Sequence, residues 1–170
     1  MFKESLQQAI NEQIVREMYS SNLYLAMAAY YASINLNGFA NWMRVQAEEE
    51  LTHALKFFDY VLDRGGKVTI GAISAPKIEW NDPVQPFVDA LEHERKVTAW
   101  IDELVDLAHK EKDYATISFL NWFVDEQVEE EKTTSEIVER LKLAGDSKAS
   151  LFFLDSQLLN RQVEKSSKSE

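Results

Sequence analysis

Apolar residues recur in steps of three, four and seven through four long stretches of this chain, the spacing that keeps one side of an α-helix turned to a core. The first stretch runs from about Ser5 to Ser33 with Ile10, Ile14, Tyr24 and Tyr31 in phase, and Asn35-Leu36-Asn37-Gly38 closes it. A second runs from about Phe39 to Arg64 and stops at Gly65-Gly66. Between Gly66 and Asp82 the helical period disappears, and Val68, Thr69, Ile70, Gly71, Pro76 and Trp80 predict an ordered crossover loop. Asp82-Pro83-Val84-Gln85 then has the form of a helix start: an acid to cap, proline at the first position and glutamine three residues after the cap. The third helix is expected to reach about Lys112. Asp113 is expected to cap a fourth that ends at Ala144 before Gly145, and Asp146 a short fifth through about Leu159. Residues 164–170, Glu164-Lys165-Ser166-Ser167-Lys168-Ser169-Glu170, predict a solvated polar tail after one domain over residues 1–163.

Connection lengths set the topology. The short link after the first helix can only reverse the chain, so helices one and two are antiparallel. The linker over residues 66–82 can stretch about 55 Å, more than the roughly 39 Å of the second helix. The third helix can therefore start at the same end as the second and run parallel to it. The fold class that follows is all-α: a four-helix bundle with one long crossover between helices two and three, plus a short fifth C-terminal helix.

Aligned by apolar phase, the helices give four inward lines. Helix one reads Ile10, Ile14, Glu17, Ser21, Tyr24, Ala28, Tyr31; helix two reads Phe39, Met43, Gln46, Glu50, His53, Phe57, Val61. Helix three reads Phe87, Leu91, Glu94, Thr98, Ile101, Val105, and helix four Phe119, Phe123, Gln127, Glu130, Thr134, Ile137, Leu141. Polar groups gather mid-line on all four, and no lysine or arginine lies on any of them. Inward carboxylates at one depth repel and are poorly solvated, so each must be paired, protonated or metal-bound. Metal ions supply the missing positive charge. Glu50-Leu51-Thr52-His53 is the sharpest part of the pattern, because a carboxylate and an imidazole three residues apart share a helix face. Glu49 and the pair Glu126 and Glu129 lie angularly beside the inward lines, where they form either a weaker outer cation site or simply a solvated acidic face. Tyr24 is either core packing or a partner of a metal ligand able to give up an electron. His93 and His109 are expected at the surface, and Trp122 near the depth of the cluster in a structural role.

Composition narrows the classes. Acidic residues outnumber basic ones 29 to 18, and no basic patch appears, which argues against nucleic acid as a partner. The absence of cysteine excludes thiolate metal sites, thiol catalysis and disulfides. No apolar run is long enough for a signal peptide or a membrane span, so a soluble cytoplasmic protein is expected. A carboxylate-rich set with one imidazole and no sulfur suits iron(II), manganese or zinc.

Several stretches together resemble the non-haem bacterial and archaeal ferritins along nearly the whole chain. They are Asn11-Glu12-Gln13 through Glu17-Met18-Tyr19-Ser20-Ser21, Gly38-Phe39-Ala40-Asn41-Trp42-Met43, Gln46-Ala47-Glu48-Glu49-Glu50-Leu51-Thr52-His53-Ala54, and Phe119-Leu120-Asn121-Trp122-Phe123-Val124-Asp125-Glu126-Gln127-Val128-Glu129-Glu130-Glu131. The resemblance implies iron storage in a homo-oligomeric shell of 24 subunits, with ferroxidase activity that oxidises iron(II) by dioxygen or hydrogen peroxide at a dinuclear site and deposits iron(III) mineral. It implies that Glu17, Glu50 and His53 bind the first iron, that Glu50 bridges to a second held by Glu94 and Glu130 with Gln127 nearby, and that Tyr24 stands beside the centre. It further implies a third iron site from Glu49, Glu126, Glu129 and Glu130, and a separate reductant partner for iron release. Haem-binding relatives carry methionine directly after the helix-two ligand glutamate and Glu-x-x-His on helix four. Leu51 and Gln127-x-x-Glu130 depart from both, so no haem is expected.

Four other readings make distinct demands. A DNA-binding mini-ferritin would place its ligands between subunits in a 12-subunit shell and would not need a fifth helix. Rubrerythrin-like peroxidases need cysteine ligands. A di-iron oxygenase would need a cavity for an organic substrate, and a purely structural bundle would bind no iron.

Overall fold

The computed structural model describes residues 2–163, so the expected polar tail over residues 164–170 lies outside the described residues. Four long helices form the bundle: α1 (Glu4–Ser33), α2 (Asn37–Asp63), α3 (Gln85–Glu111) and α4 (Tyr114–Ala144). A short α5 (Lys148–Leu158) follows. Every inward-line residue of α1 and α2 is buried, and on α3 and α4 only Leu91, Thr98, Val105 and Phe119 keep partial exposure.

The core divides into two apolar ends. At one end Tyr24, Tyr31, Phe39, Trp42, Phe87, Ile137 and Leu141 pack together. At the other Leu6, Ile10, Phe57, Val61, Ile101, Leu104, Leu120 and Phe123 do so. The start of α2 and the start of α3 share the first cluster, while Val61 and Ala108 near their other ends share the second. Helices α2 and α3 are therefore parallel, as the long crossover requires. Two dry ends with a polar belt between them let the bundle fold on apolar burial while the belt is left for chemistry.

The crossover is ordered by side chains of α1. Asn11 donates to the Lys67 carbonyl at 3.0 Å and accepts from the Thr69 amide at 3.1 Å, and Gln7 accepts from the Lys67 amide at 2.8 Å. At its far end Trp80 packs on Tyr30 and donates to Asp89 at 2.8 Å. The turn from α3 to α4 is fixed by Asp113, which caps α4 by accepting from the Thr116 amide and is gripped at both oxygens by Arg64 at 2.9 and 2.8 Å. That grip holds the Asp113 carboxyl down at about 2.

Three local expectations need correction. Helix α3 begins at Gln85, not Pro83, because the Asp82 carboxylate accepts from the Val84 and Gln85 amides in a turn that precedes the helix. The cap of α5 is Ser147, whose hydroxyl accepts from the Ser150 amide, in place of Asp146. Gly38 does not terminate α1; it lies inside α2, where a Cβ would sit 1.6 Å from the Asp155 carbonyl oxygen. The reversal is made by Asn35, whose φ of 62° is left-handed. Glycine at position 38 is what lets α5 dock on the start of α2, with Asp155 accepting from the Phe39 amide at 2.9 Å.

Candidate metal centre

Each helix of the bundle contributes to the belt. Glu17 comes from α1, Glu50 and His53 from α2, Glu94 from α3, and Gln127 and Glu130 from α4; the four carboxylates are between 0 and 6 % exposed. Glu50 and His53 share one face of α2 with His53 Nδ1 3.5 Å from Glu50 Oε2, the contact expected of residues three apart on a helix. Glu17, Glu50 and His53 each offer a ligand atom, all within 4.8 Å of one another. A second such group joins His53, Glu126 and Glu130. The described buried polar residues include no lysine or arginine.

Hydrogen bonds to the carboxylates are unevenly shared. Tyr24 donates its hydroxyl to Glu94, and Gln127 Nε2 lies 3.3 Å from the other oxygen of Glu94 and 3.3 Å from Thr98 Oγ1. Gln46 Nε2 donates to Glu130 Oε2 at 2.6 Å and approaches Glu50 Oε1 at 3.4 Å. Gln13 donates to Glu17 Oε1 at 2.7 Å, but Glu17 Oε2 is buried with no amide, hydroxyl or basic donor among the described residues, and the Glu17 carboxyl's remaining partner is the carboxyl of Glu50. Two buried carboxyls with no basic group to balance them are costly to ionise. With an imidazole and a second carboxylate beside it, Glu17 Oε2 fits a cation.

Burial pushes all four carboxyls above the usual glutamate range, and repulsion from a neighbouring glutamate adds to it, from within the belt for Glu17, Glu50 and Glu130 and from Glu131 for Glu94. Glu17 is pushed up by burial and then by Glu50; Glu130 by burial and then by Glu94 and Glu50. For Glu94 burial is opposed by the Tyr24 and Gln127 donors. Tyr24 is held well above the ordinary phenol range by burial and by the Glu94 charge. Divalent cations reverse this balance, since they favour the ionised carboxylates.

The outer acidic residues do not form one cluster. Glu126 reaches His53 and Glu130. Glu49 forms an ion pair with Arg161 at 2.8 Å, and Glu129 is exposed beside Lys132 at 4.0 Å. Trp122 packs edge-on against His53 with centroids 5.4 Å apart, and Lys56 lies over its outer face.

Comparison with known proteins gives one answer. The family described as "Ferritin-like domain" matches residues 7–144. The chain belongs to the ferritin family. A bacterial non-heme ferritin of Bacteroides fragilis is 49% identical over 161 residues, covering 95% of this chain and 100% of that protein. One from Staphylococcus saprophyticus is 43% identical over 166 residues, covering 98% and 99%. The open pore ferritin of the archaeon Archaeoglobus fulgidus superposes with TM-score 0.94 at 51% identity, covering 95% of this chain and 100% of that chain. The chain is thus an iron-storage ferritin, and its belt is a candidate dinuclear centre consistent with ferroxidase chemistry.

Several ferritin residues around the belt were not singled out for a role by the sequence. Gln13 and Gln46 are the amide donors to Glu17 and Glu130. Gln13 stands one turn before Glu17 and Gln46 one turn before Glu50, a four-residue spacing that was available as a signal. His93, expected at the surface, is buried, with Nε2 2.7 Å from Ser20 Oγ and its ring near Tyr19 and Trp100. Burial, then Lys96, lowers it to about 4, so it is a neutral packing group at pH 7. It falls on a second buried stripe of α3 with Ala90, Val97, Leu104 and Ala108, which a single inward line omits. His109 is exposed, as expected.

Proposed function

We propose that Glu17, Glu50 and His53 take up a first iron(II), and that Glu50 bridges to a second held by Glu94 and Glu130. Gln127 stands beside that second position and steadies Glu94. Iron(II) is the substrate here. Each ion gives up one electron, and dioxygen accepts the pair with two protons to become hydrogen peroxide, or hydrogen peroxide accepts it to become water. Four carboxylates concentrated in a dry belt favour the higher charge of iron(III), which lowers the barrier to oxidation. Tyr24, bonded to Glu94, holds that ligand in place and is suited to supply an electron.

The convergence of buried Glu17, Glu50 and His53, with ligand atoms all within 4.8 Å of one another and no lysine or arginine among the described buried residues to balance them, carries this reading. An outer cation would draw first on Glu126 and Glu130, which already share a group with His53, and would have to take Glu49 from Arg161 and Glu129 from Lys132. We further propose a shell of 24 subunits in the cytoplasm, without haem, membrane or nucleic acid as partner, which depends on a separate reductant to release iron. Large apolar side chains left exposed on one chain support assembly, among them Leu143, Phe152 and Phe153 at 88, 70 and 61 %. No described helix is long and apolar enough to cross a membrane, and the net charge of -11 disfavours nucleic acid.

Anaerobic iron(II) titration, then oxygen addition and native mass measurement, tests this. Two tightly bound iron(II) ions per subunit, oxidised on mixing, in a particle of 24 chains are expected. A 12-chain particle would favour the mini-ferritin arrangement, and an absence of iron binding would leave a structural bundle.

A further inference from the structure

Arg161 follows the last turn of α5, far in sequence from the helices of the bundle, yet its guanidinium reaches the belt. Its delivery is fixed: Asn41 Nδ2 donates to the Leu158 carbonyl at 3.1 Å and to the Arg161 carbonyl at 3.0 Å, while Asp155 anchors α5 to the Phe39 amide. The guanidinium carbon lies 4.4 Å above the Trp42 ring. Nη1 donates to the Trp42 carbonyl at 3.1 Å, and Nη2 donates to Gln46 Oε1 at 2.9 Å and to Glu49 Oε2 at 2.8 Å.

A guanidinium has donors and no acceptor, so Gln46 can offer it only the amide oxygen. The amide nitrogen must then point the other way, which is where Glu130 Oε2 and Glu50 Oε1 lie. We propose that Arg161 is a positioning residue of the iron centre: it sets the orientation of Gln46 toward Glu130 and Glu50, and it occupies the cation position at Glu49 that an outer metal ion must take from it. The inference rests on the dinuclear reading above. It makes the C-terminal segment part of the site and the outer position weaker than its acidic residues alone would make it.

The test is anaerobic titration of the assembled, metal-free protein with cobalt(II), which binds without turnover, followed by calorimetry and the visible cobalt spectrum. In Arg161→Ala the weakest cobalt step should strengthen about fivefold, the scale of a released, partly exposed ion pair. Arg161→Lys keeps the charge but loses the fork that reaches Glu49, Gln46 and the Trp42 carbonyl together, so it should show a gain smaller than that of the alanine variant. The gain should vanish in the double variant Arg161→Ala/Glu49→Gln. A merely structural role would weaken every step together, so the sign of the change separates the two. If the alanine variant does not fold, Arg161→Gln keeps a polar head without the charge and should show the same gain. An unchanged weakest step, or a gain that persists in the double variant, overturns the role of Arg161 while leaving the tight steps intact. A parent protein that binds no cobalt(II) would instead overturn the dinuclear reading along with it.

Discussion

The two halves of the belt are both built on a pair of buried glutamates, with His53 beside one pair and Gln127 beside the other, and they are satisfied differently. On the His53 side, Glu17 Oε2 has no amide, hydroxyl or basic donor among the described residues, and Glu50 has the Glu17 carboxyl, an imidazole at 3.5 Å and an amide at 3.4 Å. On the other side, Glu94 is held by Tyr24 and Gln127, and Glu130 by Gln46 at 2.6 Å. A cation entering the first half displaces only the proton that Glu17 and Glu50 hold between them. One entering the second half must share oxygens already engaged by a phenol and two amides. On the proposed reading, unequal hydrogen bonding should give unequal affinity: the first ion should be held more tightly than the second.

The largest effect should come from Glu50→Ala, because Glu50 stands between the halves. Rapid iron(II) oxidation in stopped flow should fall more than about hundredfold, beyond the range seen for residues that only support a ligand, while native mass stays that of the parent because both apolar clusters are untouched. Glu17→Gln and Glu94→Gln then separate the halves. The first should weaken the initial zinc(II) binding step by roughly tenfold or more, and the second should weaken the later step and spare the initial one. Equal losses in both variants would erase the difference between the sides.

Proton linkage should be the next largest effect. Because burial lifts the Glu17, Glu50 and Glu130 carboxyls well above 4.5, the metal-free belt keeps protons that exposed glutamates would have lost. Zinc(II) must expel them, so calorimetry in buffers of differing ionisation heat should show proton release, with affinity falling as pH drops from about 7 to about 5. For the metal-free fold the sign is opposite: the contribution of these raised groups is fully present below the unfolded value and is lost as pH rises through the folded one. Melting of the metal-free protein should accordingly show this contribution fading above about pH 4.5. Tyr24→Phe should give the smallest change, a strengthening of the second binding step by about threefold, the scale of one net hydrogen bond, since it frees Glu94 of one donor and leaves the Glu17 side as it was. A change in the first step instead would place Tyr24 on the wrong side.

The belt was legible from the sequence because it is written in helical period. Glu17, Glu50, His53, Glu94, Gln127 and Glu130 each fall in phase with large apolar residues, and four long helices leave one depth at which those phases agree. What was not legible depends on contacts without a period. Arg161 and Asp155 act through the docking of α5, which the spacing of α5 itself does not encode. Gly38 looked like a terminator because the approach of the Asp155 backbone that requires a glycine there comes from more than a hundred residues away. His93 was misplaced because α3 buries two adjacent stripes, one facing the belt and one facing α1, and a single inward line recovers only the first.

The most direct measurement is anomalous diffraction at the iron edge from crystals soaked anaerobically in less iron(II) than one equivalent per subunit. A single peak among Glu17, Glu50 and His53, joined at higher iron by a second between Glu50, Glu94 and Glu130, is the expected result. A first peak on the Glu94 and Glu130 side, or equal filling of both positions from the start, would contradict the claim that the half with fewer amide and phenol donors decides where iron enters.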